Sequence, residues 1–302
     1  MPGTKKSLTL QVIIHSKQMK MMRQLFLTLV ALAMIAMPSC KQNGNNRDSS
    51  PDNVDSTLCQ FSNFKVNKMF SCYDEERDTL YFDNTFTALW PQVINGKPCT
   101  ELQQALLRAM TDSAGLNQLD QVIDFLLNPS SYIDDLSSPL IPVNAVNDRE
   151  NKLSTSEIRI NMESMTDRLL TYHLGTYSYL AGGAHGIYAN NYVTYDLKND
   201  KPVTFNDVIA DTTLLRQVTL KSIKQTYDYG PEDLFIPDNG LLPLPRDFHF
   251  VDNVFHIVYQ VYEIASYAQG MIDAPIYPYM LKPEEIKRLF TPYGLELIDY
   301  TE

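Results

Sequence analysis

The string most able to do chemistry is Gly182-Gly183-Ala184-His185-Gly186, three glycines in five residues around one histidine. Glycine lets a backbone turn through positive φ and lets a ligand or a second strand approach closely. Gly183, at its centre, is where positive φ would make a side chain costly. His185 could brace the turn by bonding the backbone, contact a ligand, or act as a base or metal ligand. Bracing is the preferred reading, ligand contact the next. Catalysis ranks last because no G-x-S-x-G or H-E-x-x-H signature accompanies the histidine.

A metal would need partners for His185, and His173, His249 and His256 are the other histidines beyond the N-terminal tail. His173 lies twelve residues before His185, so a hairpin could bring the two together. Nothing in the spacing places a carboxylate beside any of them, so neither a metal nor another cofactor is expected. A second string, Tyr262-Glu263-Ile264-Ala265-Ser266-Tyr267-Ala268-Gln269-Gly270, carries Glu263 in a largely apolar run. Such a carboxylate is either hydrogen-bonded inside the fold or faces a cleft, and the first is preferred. Eighteen tyrosines and one tryptophan could supply a sugar-stacking platform, although strands favour tyrosine in any case. His185, Gly183, Glu263 and Tyr267 are therefore the candidate ligand-binding residues, and no catalytic residue is assigned.

Cysteine usage points outward. Lys20 and Arg23 precede the uncharged run from Leu25 to Met37, thirteen residues and too short to span a bilayer, followed by Pro38-Ser39-Cys40. Residues 1–39 read as a signal peptide whose true start lies between Met19 and Met22. The Met37-Pro38-Ser39-Cys40 stretch resembles a bacterial lipobox, which implies acylation of Cys40. Residues 40–57, with Asp48, Asp52 and Asp55 among Asn, Ser and Gly, read as a tether. The remaining Cys59, Cys72 and Cys99 are too widely spaced for a C-x-x-C site. If residues 60–72 and 78–90 form a hairpin, Cys59 and Cys99 share one end and could bridge in an oxidising compartment, the alternative being three free thiols.

These residues need elements to hold them. Alternation in Thr79–Ala88, Glu157–Met165, Thr171–Tyr179 and Tyr188–Leu197 predicts strands, and Phe248–Val251 with Val254–Tyr262 predicts a hairpin across Asp252-Asn253. Apolar residues at helical spacing from Leu102 to Met110, in Leu119–Leu127 and in Leu214–Tyr229 predict helices, with a short one over Pro283–Phe290. The class is α+β, antiparallel sheets with a few packed helices. The net charge is −11, and without residues 1–39 it is −16, from 20 basic and 36 acidic residues. Such a surface repels phosphate backbones, so nucleic acid is not an expected partner.

Four segments in order resemble a bacterial envelope family, the DUF4163/DUF3298 pair. They are Trp90-Pro91-Gln92-Val93 with the helix at Leu102–Leu106; Tyr179 to Gly186; Tyr195-Asp196-Leu197 through Val203 to Val208; and Tyr262 to Gly270. The resemblance implies a first half over 58–200 and a second over 201–302, packed as one compact unit. Members include the lysozyme-binding extracytoplasmic part of an anti-sigma factor and a module attached to a peptidoglycan deacetylase. The chain is thus expected to be a lipoprotein of the cell envelope, on the outer membrane facing the periplasm or the cell surface. It is expected to bind peptidoglycan-derived glycan or a basic, lysozyme-like protein without catalysis. The alternatives are a cell-wall glycan enzyme using Glu263 or His185, and a structural subunit of an envelope complex.

Overall fold

The structure, a computed structural model, describes residues 59–301 except 77, 112–114, 134–135, 137 and 146–151. The signal peptide, Cys40 and the tether lie outside the described residues. Strands β1 (Gln60–Tyr73) and β2 (Thr79–Ile94) form the expected long hairpin, with register from Tyr73↔Thr79 to Gln60↔Val93. At Asn95 (φ 51°) and Gly96 (φ 74°) the chain doubles back into β3 (Lys97–Pro98), since asparagine and glycine tolerate the left-handed region that a tight hairpin turn needs.

Helices α1 (Thr100–Thr111) and α2 (Leu119–Leu126) follow. In α1, Leu102, Ala105, Leu106 and Met110 recur every three or four residues and are buried, while Glu101 and Arg108 complement the helix dipole at its two ends. After β4 (Ile141–Pro142) come β5 (Leu153–Met165), β6 (Leu169–Tyr179) and β7 (Ile187–Asp196). They pair antiparallel, but β5 runs parallel to β2, because the helical crossover returns the chain to the same end of the sheet. With β8 (Lys201–Pro202) the large sheet has the order β4-β1-β2-β5-β6-β7-β8, and β3 attaches to β2.

One face of this sheet, through Phe86, Trp90, Ile160, Leu170 and Tyr172, packs on α1 and α2 to make the first core. Asn84, fully buried, donates to Leu127 O at the end of α2 and accepts from Tyr132 Oη, so its amide stays satisfied inside the core.

The second core lies around a three-stranded sheet of β9 (Asp247–Val251), β10 (Val254–Tyr259) and β11 (Ile272–Ile276), with β10 central. Asp252 (φ 46°) and Asn253 (φ 62°) make the β9–β10 turn at the expected place. Helices α3 (Phe205–Val208), α4 (Thr212–Tyr227), α5 (Pro283–Leu289) and α6 (Pro292–Leu297) cover it. Asp211 caps α4 through Leu214 N, and Asp228 at φ 60° ends it. The architecture is α+β, with antiparallel pairing dominant.

The sheets are joined by polar contacts. Thr171 of β6 donates to Phe250 O at 2.7 Å, and Tyr192 N donates to Asp247 Oδ2 at 3.0 Å. Asp196, 0% exposed, accepts from Tyr293 Oη, Asn199 Nδ2 and the Lys198 and Asn199 amides. Burial works against its charge, but those donors and Arg168 hold its carboxyl below the usual range.

The three cysteines are free thiols. That corrects the bridge offered between Cys59 and Cys99. Gln60 of β1 and Pro98 of β3, the sequence neighbours of the two cysteines, pair with Val93 from opposite edges of β2, so β2 lies between the strand ends that carry Cys59 and Cys99. Burial first, then Cys59 and Asp200, push the Cys99 thiol up to about 11.

Candidate functional site

The β6–β7 turn and the segment after β10 meet. Residues from both strings form one aromatic patch, because the second sheet packs along the β6–β7 hairpin, from Phe250 against Thr171 and Thr194 to Gln260 against Asn190. His185 stacks on Tyr267 with ring centroids 4.1 Å apart, and Tyr262 (5.5 Å) and Tyr188 (6.0 Å) flank Tyr267. Tyr177, 39% exposed, pairs with Tyr188 across the hairpin, so their side chains share one face. Its ring end fills the space over Gly186, where a Cβ would fall 2.4 Å from it. Glycine at 186 thus lets the Tyr177 ring lie directly over the turn, and a larger residue would displace that ring.

The turn is locally secured. His185 Nδ1 donates to Gly186 O at 2.8 Å, and Tyr267 Oη donates to the same carbonyl at 2.8 Å. With Nδ1 donating to that carbonyl, Nε2 faces Tyr262 Oη at 3.5 Å. Positive φ falls on Gly182 (77°) rather than Gly183, which corrects the position expected for it. Gly183 instead lies close to backbone, its would-be Cβ 3.0 Å from Leu180 O. His185, Gly182, Gly183 and Ala184 are exposed.

Tyr262 adopts φ 65°, a region costly for a bulky side chain and populated mainly by glycine and asparagine. Glu263 sits beside it but points elsewhere. Its Oε2 accepts from Gln260 N at 2.9 Å and its Oε1 lies 3.8 Å from Arg246 Nε. Burial pushes its carboxyl up. Glu263 thus closes the turn that presents Tyr262, and it shares no partner with His185.

His173 does not join His185. The register sets His173 opposite Tyr192, four residues and roughly 13 Å along the strand from the pair Tyr177↔Tyr188 at the turn. His173 Nε2 instead meets Asn190 Oδ1 at 2.8 Å. Across the sheet interface, Tyr192 stacks on His249 (3.9 Å), and His249 on His256 (4.6 Å).

The expectation that no carboxylate lies beside the histidines is corrected by Asp273. Its Oδ1 is 2.8 Å from His256 Nδ1 and its Oδ2 is 3.7 Å from His249 Nε2. Sequence spacing missed it because β11, which carries Asp273, was not expected as a strand. Tyr188 and Tyr177 were missed for another reason: alternation assigned them to strands without saying which face would meet a second sheet.

No family model matches the sequence, and no curated protein matches it. The fold is similar to a solved DUF3298-family structure from Bacteroides fragilis, with TM-score 0.52 and 16% identity over 80% of this chain and 97% of that one. A DUF3298-family structure from Pseudomonas aeruginosa aligns with TM-score 0.44 and 13% identity, covering 79% and 98% of the two chains. The architecture is therefore shared with a DUF3298-family protein.

Proposed function

We propose that this chain is a DUF3298-family protein of the bacterial envelope, held on a membrane by lipid on Cys40, whose domain binds peptidoglycan-derived glycan without catalysis. The contact surface is the patch of Tyr177, His185, Tyr188, Tyr262 and Tyr267. The observation that carries this reading is Tyr262 in the left-handed region beside the His185–Tyr267 stack. Glycine would make that turn without strain, so a tyrosine held there is explained by what its ring touches. Stacked aromatic faces suit the apolar faces of sugar rings, and hydroxyls at the rim supply hydrogen bonds.

The non-enzymatic reading is supported by the partners already taken. His185 is bonded to Gly186 and Glu263 to Gln260, with no contact joining them among the described residues. The charge of −16 beyond residue 39 would steer a basic protein instead, and that attraction fades with salt. Co-sedimentation of the purified protein with insoluble peptidoglycan at low and at about 0.5 M salt separates the two. Binding that survives salt and falls at least tenfold in Tyr267→Ala is expected. Binding abolished by salt, or unchanged in Tyr267→Ala, contradicts the glycan reading.

A further inference from the structure

We propose that His249, His256 and Asp273 form a site for a divalent transition cation of the zinc class. Each strand of the small sheet supplies one donor: His249 from β9, His256 from β10 and Asp273 from β11. Their coming together follows from register. His249 pairs with His256, and Asp273 pairs with Val258, two residues further along β10. Residues two apart share a face, so all three side chains leave the same side of the sheet. Their donor atoms all lie within 4.8 Å of one another.

The spacing around His249 is what points to an ion. The side chain is 2% exposed, and Nε2 is the ring nitrogen that faces the cluster; Nδ1, on the other edge of the ring, has no hydrogen-bond partner and takes no part in the site. Its Nε2 faces Asp273 Oδ2 at 3.7 Å, which is longer than a hydrogen bond. A bridging water would need about 4.5 Å between the two atoms, from two bonds of about 2.8 Å at a tetrahedral angle. Donors at about 2.1 Å from a tetrahedral cation stand about 3.4 Å apart. The observed 2.8 Å is to Oδ1 and the 3.7 Å to Oδ2, either side of that separation, and the donor atoms of all three side chains lie within 4.8 Å of one another, so the two rings and the carboxylate would close on the cation.

Two imidazoles and one carboxylate suit zinc better than calcium or magnesium, which prefer all-oxygen sets. Tyr192, stacked on His249 from the large sheet, fixes that ring's plane. Asp273 is 29% exposed and His256 16%, so water reaches the fourth position. Burial holds His249 neutral, its imidazole down at about 4, so coordination displaces no proton there. The cation would clip the three strands together where they face β7. This departs from the expectation of no metal, which rested on sequence spacing alone.

The test uses the purified full chain, freed of metal with a chelator and titrated with zinc(II) alone. One equivalent is expected to bind with a Kd of micromolar or below, and Asp273→Asn and His256→Ala are each expected to weaken it at least tenfold. Absence of saturable binding, or equal affinity in both variants, would overturn the proposal. Should either variant fail to fold, cobalt(II) in the wild-type chain reads the site directly. Intense visible bands of a four-coordinate ion support it, and a weak six-coordinate spectrum overturns it.

Discussion

His249 shows how one buried side chain sets a pH dependence for the fold. Burial, together with His256 and His173, drives its imidazole down to about 4, against the pull of Asp273. Free imidazole titrates near 6.5. Between those values the unfolded chain takes up a proton that the folded chain refuses. The contribution is thus complete above about pH 6.5 and is lost as pH falls toward 4, with a ceiling of about 3 kcal/mol. His249→Phe should keep the stack on Tyr192 while removing this titration. In urea unfolding of metal-free protein from pH 7 to 4.5, the wild type should lose about 2 kcal/mol more than the variant. Parallel profiles would contradict the burial argument. Asp247, pushed up to about 7 by burial, titrates in both proteins and cancels in the comparison. The residue types at this site could be read in the sequence but not their meeting, since neighbours such as His249 and Asp273 are set by strand register.

Local chemistry marked most of the elements well. The β9–β10 hairpin turned at Asp252-Asn253, as two residues tolerant of positive φ require, and α1 followed its apolar spacing. Short pieces such as β4 and β8 carry only two residues each, too few for any periodicity to register. Helix α6 was not expected, since the last helix read from the sequence was Pro283–Phe290, and α6 carries Pro292 and Gly294 within six residues. The structure gives both a purpose. Pro292 opens the helix at a position whose amide needs no partner, and Gly294 lies against α3, where a Cβ would meet Val208 O at 2.5 Å. The atoms it would meet, Val208 O, C and Cα, are all backbone and cannot step aside. Gly294→Ala should therefore force α3 and α6 apart and cost about 2 kcal/mol, despite alanine's better helix propensity. Chemical denaturation measures this, and an unchanged or raised stability would show that the contact yields.

At the scale of the whole molecule, two cores are tied by groups whose hydrogen bonds cross between them. Asp196 from the large sheet holds Tyr293 of α6, and Thr171 holds Phe250. Aromatic side chains of the β6–β7 hairpin and of the segment after β10 gather at the β6–β7 turn, and that is the proposed binding patch. The proposed placement on a membrane rests on Cys40. Cys40→Ala should release the protein from the membrane fraction or leave its precursor uncut, and a variant that stays bound and normally processed would refute the anchor. The α+β class was legible from alternation and helical spacing, whereas the patch was not. Its two strings stand about eighty residues apart, as His185 and Tyr267 do, and only the docking of the sheets unites them.

If the strain at Tyr262 is tolerated for the sake of a ligand, folding and binding make opposite demands on that residue. Tyr262→Gly removes the ring and also relieves the φ of 65°, a strain of about 1 kcal/mol or more. The most direct measurement is a calorimetric titration of a soluble disaccharide-peptide fragment of peptidoglycan into wild type and Tyr262→Gly, with the Tm of each. An equal or higher Tm together with binding at least tenfold weaker is expected. A lower Tm with unchanged affinity would mean that Tyr262 serves the fold, and would contradict that expectation.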